Sequence, residues 1–179
     1  MNIIVCVKLV PDPEAPVTQF SVNSKACKIV SSSAVTPVVS PFDENAVEAG
    51  LQLKEAHGGK VTLLTLGPLE SMEALKRGLR MGADDAFWVD GTGLPEPDPQ
   101  GTAYILAKAI EKIGNYDLVL CGRQAADWDQ GQVGCGLGEM LNIPCVSIVS
   151  RTEVVDKVLR VRRLVEEGYE PWRPPCRRS

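Results

Sequence analysis

The segment richest in chemically useful groups reads Gly122-Arg123-Gln124-Ala125-Ala126-Asp127-Trp128-Asp129-Gln130-Gly131-Gln132-Val133-Gly134. It follows the apolar run Leu118-Val119-Leu120-Cys121 and leads into a stretch with helical spacing. A loop passing from a strand end into a helix N-terminus offers free N–H groups to an anion. Gly131 lets a phosphate come close to the backbone. Asp127 and Asp129 would repel that phosphate, so they need another task. One is suited to ribose hydroxyls and the other to capping the helix; the alternative is that both simply cap the turn. Trp128 is suited either to stacking on a ring or, as an exposed tip aromatic, to touching a partner.

Other chemistries are thinly supplied. His57 is the only histidine, and it ends a helical stretch before Gly58-Gly59, where an imidazole complements the dipole. A Ser-His-Asp or Cys-His mechanism has nothing to build on, and no catalytic residue is assigned. The six cysteines, at 6, 27, 121, 135, 145 and 176, include no close metal-type pair. Cys6, Cys121 and Cys145 lie in apolar runs and read as small buried hydrophobes. Neither a Gly-x-Gly-x-x-Gly after the first strand nor a Gly-x-x-x-x-Gly-Lys-Ser/Thr loop is present, so the usual dinucleotide and P-loop readings fail.

The net charge of −4 and pI near 5.1 argue against nucleic acid. Arg160, Arg162 and Arg163 read as part of a solvated strand. No apolar run approaches the ~20 residues of a membrane span. The opening Met1-Asn2-Ile3-Ile4-Val5 lacks signal or transit features, and a cytoplasmic protein is expected.

The elements that must position the loop alternate between short apolar runs and helix-period segments, the pattern of a parallel sheet. Strands are expected at Ile3–Val7, Val61–Leu66, Ala86–Val89, Leu118–Cys121 and Cys145–Val149, with short hairpin strands near Cys27 to Val30. Ser40-Pro41-Phe42-Asp43 opens a helix, with Ser40 at the N-cap, Pro41 first and Asp43 the acidic third residue. That helix runs to about Ala56. A second runs from about Leu69 to Gly82, and a third from Asp98-Pro99 to Gly114. A fourth carries Val133, Leu137, Met140 and Leu141. After residue 150, Val154-Val155 and Val158–Arg162, with Asp156-Lys157 between them, mix apolar and charged residues as antiparallel edge strands do. The expected fold is therefore α/β: three layers, α/β/α, around a mostly parallel sheet, with ligand-binding loops at the carboxyl edge.

These residues together resemble the β subunit of electron transfer flavoprotein. The likeness starts in Val5-Cys6-Val7-Lys8-Leu9-Val10-Pro11-Asp12 and includes Ser40-Pro41-Phe42-Asp43-Glu44-Asn45-Ala46-Val47-Glu48. It continues in Leu79–Asp84 and Tyr116–Ala125, and ends in Val161-Arg162-Arg163 and Gly168-Tyr169-Glu170. The Gly-Arg-Gln-Ala segment after a strand is its most specific part. The resemblance implies an adenine nucleotide-binding fold of the α-hydrolase-like kind, and an electron carrier rather than an enzyme. It also implies a heterodimer with a larger α subunit that carries the redox FAD. The cofactor of the β subunit is AMP in the simple branch and a second FAD in the bifurcating branch, and both stay open here. Position by position, the implied contacts are Cys6; Ser40, Pro41, Phe42 and Asp43; Leu66; and Gly122, Arg123, Gln124, Ala125, Asp127, Trp128, Asp129, Gln130, Gly131, Gln132 and Val133. The implied role is to pass electrons from flavin dehydrogenases to a membrane quinone reductase or another acceptor.

Residues 1–170 are expected to form one nucleotide-binding domain. From Glu170 onward the pattern breaks, and Pro171, Pro174 and Pro175 argue against a regular element. Family members instead continue with a strand of the type Val-Glu-x-Pro-Leu-Pro-Ala-Val. One permitted set of codons for residues 171–179, shifted in frame, spells Val-Glu-Ala-Pro-Leu-Pro-Ala-Val. Our hypothesis is that 171–179 is an aberrant tail produced by a frameshift. Gene sequence that did not resume the family pattern in another frame would refute it. The alternative reading of the whole chain is a stand-alone adenine-nucleotide-binding module of universal-stress-protein type, although the expected phosphate glycines of that family are missing from Gly122 to Gly134.

Overall fold

The structure is a computed structural model that describes residues 1–25, 28–95, 97–156 and 158–172. Cys27, Lys157, Cys176 and the tail from 173 lie outside the described residues.

The apolar run at the N-terminus forms β1 (Asn2–Cys6), and the chain then makes two small antiparallel ladders. One joins β2 (Leu9–Pro11) to β5 (Pro37–Val39); between them β3 (Phe20–Asn23) pairs with β4 (Lys28–Ser31) as the hairpin expected there. Helix α1 (Pro41–His57) leads to β6 (Lys60–Gly67), α2 (Met72–Met81) and β7 (Asp85–Asp90). Then follow α3 (Pro99–Ile113), β8 (Leu118–Cys121) and α4 (Val133–Met140). The four long-range strands form one parallel sheet in the order β7-β6-β1-β8.

Period-2 geometry makes this sheet the middle of three layers. Ile3, Val5 and Val7 point to one face, where they pack with Val47 and Leu51 of α1 and Ala74 and Leu75 of α2. Ile4 and Cys6 point to the other, against Ala103, Leu106 and Ile110 of α3 and Leu137 of α4. Central strand β1 is buried from Ile3 to Cys6 because both of its faces are covered. Leu64 is completely buried at the second face. Leu64→Ala is expected to cost about 2–5 kcal/mol, read as a lowered urea midpoint.

Local signals set the helix ends. Asp98 caps α3 by accepting the Gly101 N–H at 2.6 Å, with Pro99 next in line. Ser40 stands at the N-cap position of α1, but its side chain makes no capping bond. Its Oγ is buried without a partner among the described residues.

Two expectations need correction. Cys145–Ile148 is not a fifth parallel strand; only Val149 is in a strand, the first residue of β9 (Val149–Val155). Ile148 has a positive φ of 57°, and its carbonyl accepts the N–H of Leu164. The chain is thereby turned away from β8 into a separate antiparallel sheet, order β11-β10-β9, with β10 (Val158–Val165) central. The antiparallel strands expected after residue 150 are thus present, as a sheet of their own. Second, Pro171 does not end regular structure: β11 (Gly168–Trp172) includes it, opposite Arg162. An edge strand tolerates proline because a missing N–H can face outward.

Candidate functional site

Strands β1, β6 and β8 run parallel, so their carboxyl ends open on one edge of the sheet. Cys6 and Cys121 are register partners there, the last residues of β1 and β8. The Cys121 thiol is pushed well above its ordinary pKa, first by its hydrogen bond with Cys6 and then by burial. It is an inert neighbour rather than a nucleophile. Leu66 lies near the end of β6 and packs into the same second-face core as Cys6. Thr65 Oγ donates to the Val7 carbonyl at 2.7 Å and ties the ends of β6 and β1 together.

The start of α1 is fastened to this edge through Asp43. Its carboxylate accepts the Lys8 N–H at 2.8 Å and the Gly122 N–H at 3.1 Å. One side chain therefore joins the helix start to the chain leaving both β1 and β8. Asp43 is only 7% exposed, and burial, outweighing its two N–H donors and the nearby Lys8 charge, raises its pKa from 3.8 to about 7. The sequence pattern marked Asp43 as an acidic first-turn residue; the structure gives it this bridging role. Gly122 is required by closeness, since a Cβ there would lie 2.3 Å from Asp43 Oδ1.

The loop from Gly122 to Gln132 closes on itself. Asp129 N–H donates to the Ala125 carbonyl at 2.9 Å, and Gln124 Nε2 donates to Asp129 Oδ1 at 2.7 Å. Gly131 has φ 62°, and a Cβ there would meet the Arg123 carbonyl at 3.2 Å. Asp127 Oδ2 pairs with Lys8 Nζ at 2.6 Å, while its Oδ1 accepts the Trp128 N–H at 3.0 Å. Neither aspartate stands at the N-cap of α4; Gln132 does, and its side chain makes no capping bond. Both carboxylates are instead held inside the loop, and Lys8 balances the charge of Asp127. The Lys8 side chain is about half exposed, with 45% accessibility. Lys8→Met is therefore expected to change stability by less than about 1 kcal/mol in urea unfolding.

The structure brings together most of the residues named from sequence. Cys6, Asp43 and Gly122 are joined by strand register and hydrogen bonds. The Arg123 guanidinium lies 5.3 Å from the centre of the Phe42 ring, linking loop and helix start. Pro41, Trp128, Asp129, Gln130, Gly131 and Gln132 are exposed at this edge, while Ala125 and Val133 are partly buried. Ser40 is fully buried and has no open face. Lys8 was not among the contacts named from sequence, and its pairing with a residue 119 positions away leaves no local signal. His57, at the far end of α1 beside Gly58, whose carbonyl binds the N-terminus, stands at the opposite edge of the sheet. No group of His, Cys, Asp and Glu suited to a metal occurs among the described residues. No described helix is long and apolar enough to cross a membrane.

A cavity of about 440 Å³ lies along β8 and α4 and is walled on the far side by β9 and β10. It meets the loop only at Gly122, Arg123 and Gly131 and is otherwise lined largely by apolar residues, beside the edge of β8 that pairs with no described strand.

The fold and this edge define an open, parallel α/β domain with its polar loops gathered at a helix N-terminus. The chain matches the family model for the electron transfer flavoprotein domain over residues 28–173. It belongs to the electron transfer flavoprotein family and is similar to β subunits of that family. It is 40% identical over 174 residues to the electron transfer flavoprotein β subunit of Thermoanaerobacterium thermosaccharolyticum, covering 95% of this chain and 63% of that protein. With the caffeyl-CoA reductase–Etf complex subunit CarD of Acetobacterium woodii it shares 36% identity over 171 residues, 95% of this chain and 63% of the other. Protein FixA of Azotobacter vinelandii is 34% identical over 176 residues, covering 95% and 61%. The chain thus spans between 61% and 63% of the length of these relatives.

Proposed function

We propose that this chain acts as the β-type subunit of an electron transfer flavoprotein. In this reading it holds AMP or FAD at the carboxyl edge of its sheet and pairs with a larger, FAD-carrying α subunit. It is a carrier subunit without catalytic residues of its own. The assembly passes electrons from flavin dehydrogenases to a quinone reductase or another acceptor. Names of the relatives support membership of a larger assembly, since one is called a subunit of a reductase–Etf complex. They do not favour a stand-alone regulatory module.

The observation that carries the nucleotide part is the convergence of Cys6, Asp43 and Gly122 beside a self-closed loop that delivers the chain to the N-terminus of α4. The residues fit an adenine nucleotide. The α4 N-terminus and Gly131 suit a phosphate, and Arg123 supplies a positive fork beside it. Lys8 already balances Asp127, which removes part of the repulsion two aspartates would otherwise exert. Asp129 commits one carboxylate oxygen to Gln124 but is exposed, so its other oxygen would serve ribose hydroxyls, and Trp128 is 55% exposed. Bound FAD would supply one-electron chemistry, and the protein would orient it and tune its potential; bound AMP would be structural.

Co-expression with a subunit bearing the FAD domain tests the proposal. A yellow heterodimer is expected on co-purification, and a colourless monomer would contradict the subunit role. Within the complex, Arg123→Ala is expected to weaken nucleotide retention about tenfold, the loss of one charge-assisted contact. Nucleotide released after dialysis measures it.

A further inference from the structure

Helix α4 and the segment after it bring two thiols together. Ile143 N–H donates to the Gly138 carbonyl at 3.0 Å, and this turn folds residues 143–148 back against the helix. Gly138 makes the approach close, for a Cβ there would lie 2.7 Å from the Cβ of Cys145. Cys145 is thereby placed opposite the first turn of α4, with its Sγ 3.7 Å from the Gly134 carbonyl and 3.9 Å from Cys135 Sγ. Both cysteines are exposed, Cys145 contrary to the burial expected of its apolar run because residues 143–148 pack on a helix and do not enter the sheet. Both line the wall of the cavity along β8, which gives a small molecule access. Cys6 and Cys121, by contrast, lie in or against the core at the strand ends.

We infer that Cys135 and Cys145 form a dithiol modification site that takes a small disulfide of the glutathione class and closes to an intramolecular disulfide. The sulfurs must close from 3.9 Å to a bond of about 2 Å, a movement within reach of side-chain rotation. Chemistry proceeds in two exchanges. The Cys135 thiol gives up its proton and attacks one sulfur of the small disulfide, whose bond breaks to release one thiol and leave a mixed disulfide. Cys145 then gives up its proton and attacks the Cys135 sulfur, releasing the second small thiol. The protein loses two hydrogens and the small disulfide gains them.

The order follows from the surroundings of Cys145. Partial desolvation of its sulfur against α4 first, and the neighbouring Cys135 second, push its pKa up to about 11, so it is a poor initial attacker. Once Cys135 is in a mixed disulfide it carries no charge and no thiol hydrogen, and its share of that effect disappears. The closed bridge would tie the start of α4 to the segment entering β9. Any effect on nucleotide binding rests on the proposed function, whereas bridge formation does not.

The full chain, reduced and then incubated with glutathione disulfide, tests the inference by peptide mass mapping. A Cys135–Cys145 cross-link lacking two hydrogens is expected, with both thiols lost to alkylation together. Cys145→Ser should stop at a stable glutathione adduct on Cys135. Cys135→Ser should slow modification of Cys145 about tenfold or more. A cross-link that instead joins other cysteines or two chains would overturn the inference, as would a persistent adduct on Cys135 in the wild type. Equal reactivity of Cys145 with and without Cys135 would overturn the order of attack.

Discussion

Gly122→Val is expected to destabilise the fold by about 3 kcal/mol or more, the sum of an overpacked contact and a broken buried hydrogen bond. A Cβ at this position would stand 2.3 Å from Asp43 Oδ1, 2.8 Å from the Phe42 carbonyl carbon and 2.9 Å from the Asp43 nitrogen. Two of those three atoms are backbone at the start of α1, so no rotamer change relieves the clash. The helix start must retreat from β8, and the Gly122 N–H then loses the Asp43 carboxylate. Urea unfolding of the variant reads the loss directly. Gly134→Ala is a useful contrast. Its Cβ would sit 3.7 Å from the Cβ of Cys121, an ordinary contact within α4. Helix propensity then predicts a change near zero, or a gain of about 0.5–1 kcal/mol.

Asp43 should make stability fall as pH rises. Its pKa goes from 3.8 in the ordinary state to about 7 in the fold, chiefly through burial. Below pH 4 both folded and unfolded chains hold the proton. Between about 4 and about 7 the folded chain still binds it and the unfolded chain does not, so each step up in pH favours unfolding. Above about 7 the loss is complete. At 1.36 kcal/mol per unit, the Asp43 contribution to stability falls by at most about 4 kcal/mol across that window. Asp43→Asn cannot titrate and isolates the effect. Urea midpoints of the two proteins, compared at pH 5 and pH 8, are expected to diverge, with the wild type losing ground at the higher pH. Parallel profiles would show that the carboxylate is already charged at pH 5.

The layered fold was legible because its signals are local. Apolar runs gave β1, β6, β7 and β8, and Asp98-Pro99 gave the start of α3 through a cap that forms as expected. Cys145–Ile148 misled because an apolar run is equally compatible with a strand and with a segment packed on a helix. What diverts it is tertiary: the bond from Leu164 to the Ile148 carbonyl and the close seat against Gly138. The loop of the candidate site was legible from its glycines and polar residues between strand and helix. Its internal wiring was not. Asp43 reads as one more acidic residue in a helical first turn, and its true partners, Lys8 and Gly122, lie 35 and 79 positions away. Asp127 reads as a cap or a sugar ligand until Lys8 is found beside it.

The most direct test of the account is the nucleotide content of the chain purified with the proposed FAD-bearing partner subunit. Acid release and chromatography should yield AMP, or FAD beyond what the partner carries, in proportion to the chain. Gly131→Val, which strains the φ of 62° and presses on the Arg123 carbonyl, should reduce that yield sharply while the complex still assembles. Finding no nucleotide attributable to this chain, or the same amount in the folded variant, would contradict a nucleotide held by the loop from Gly122 to Val133.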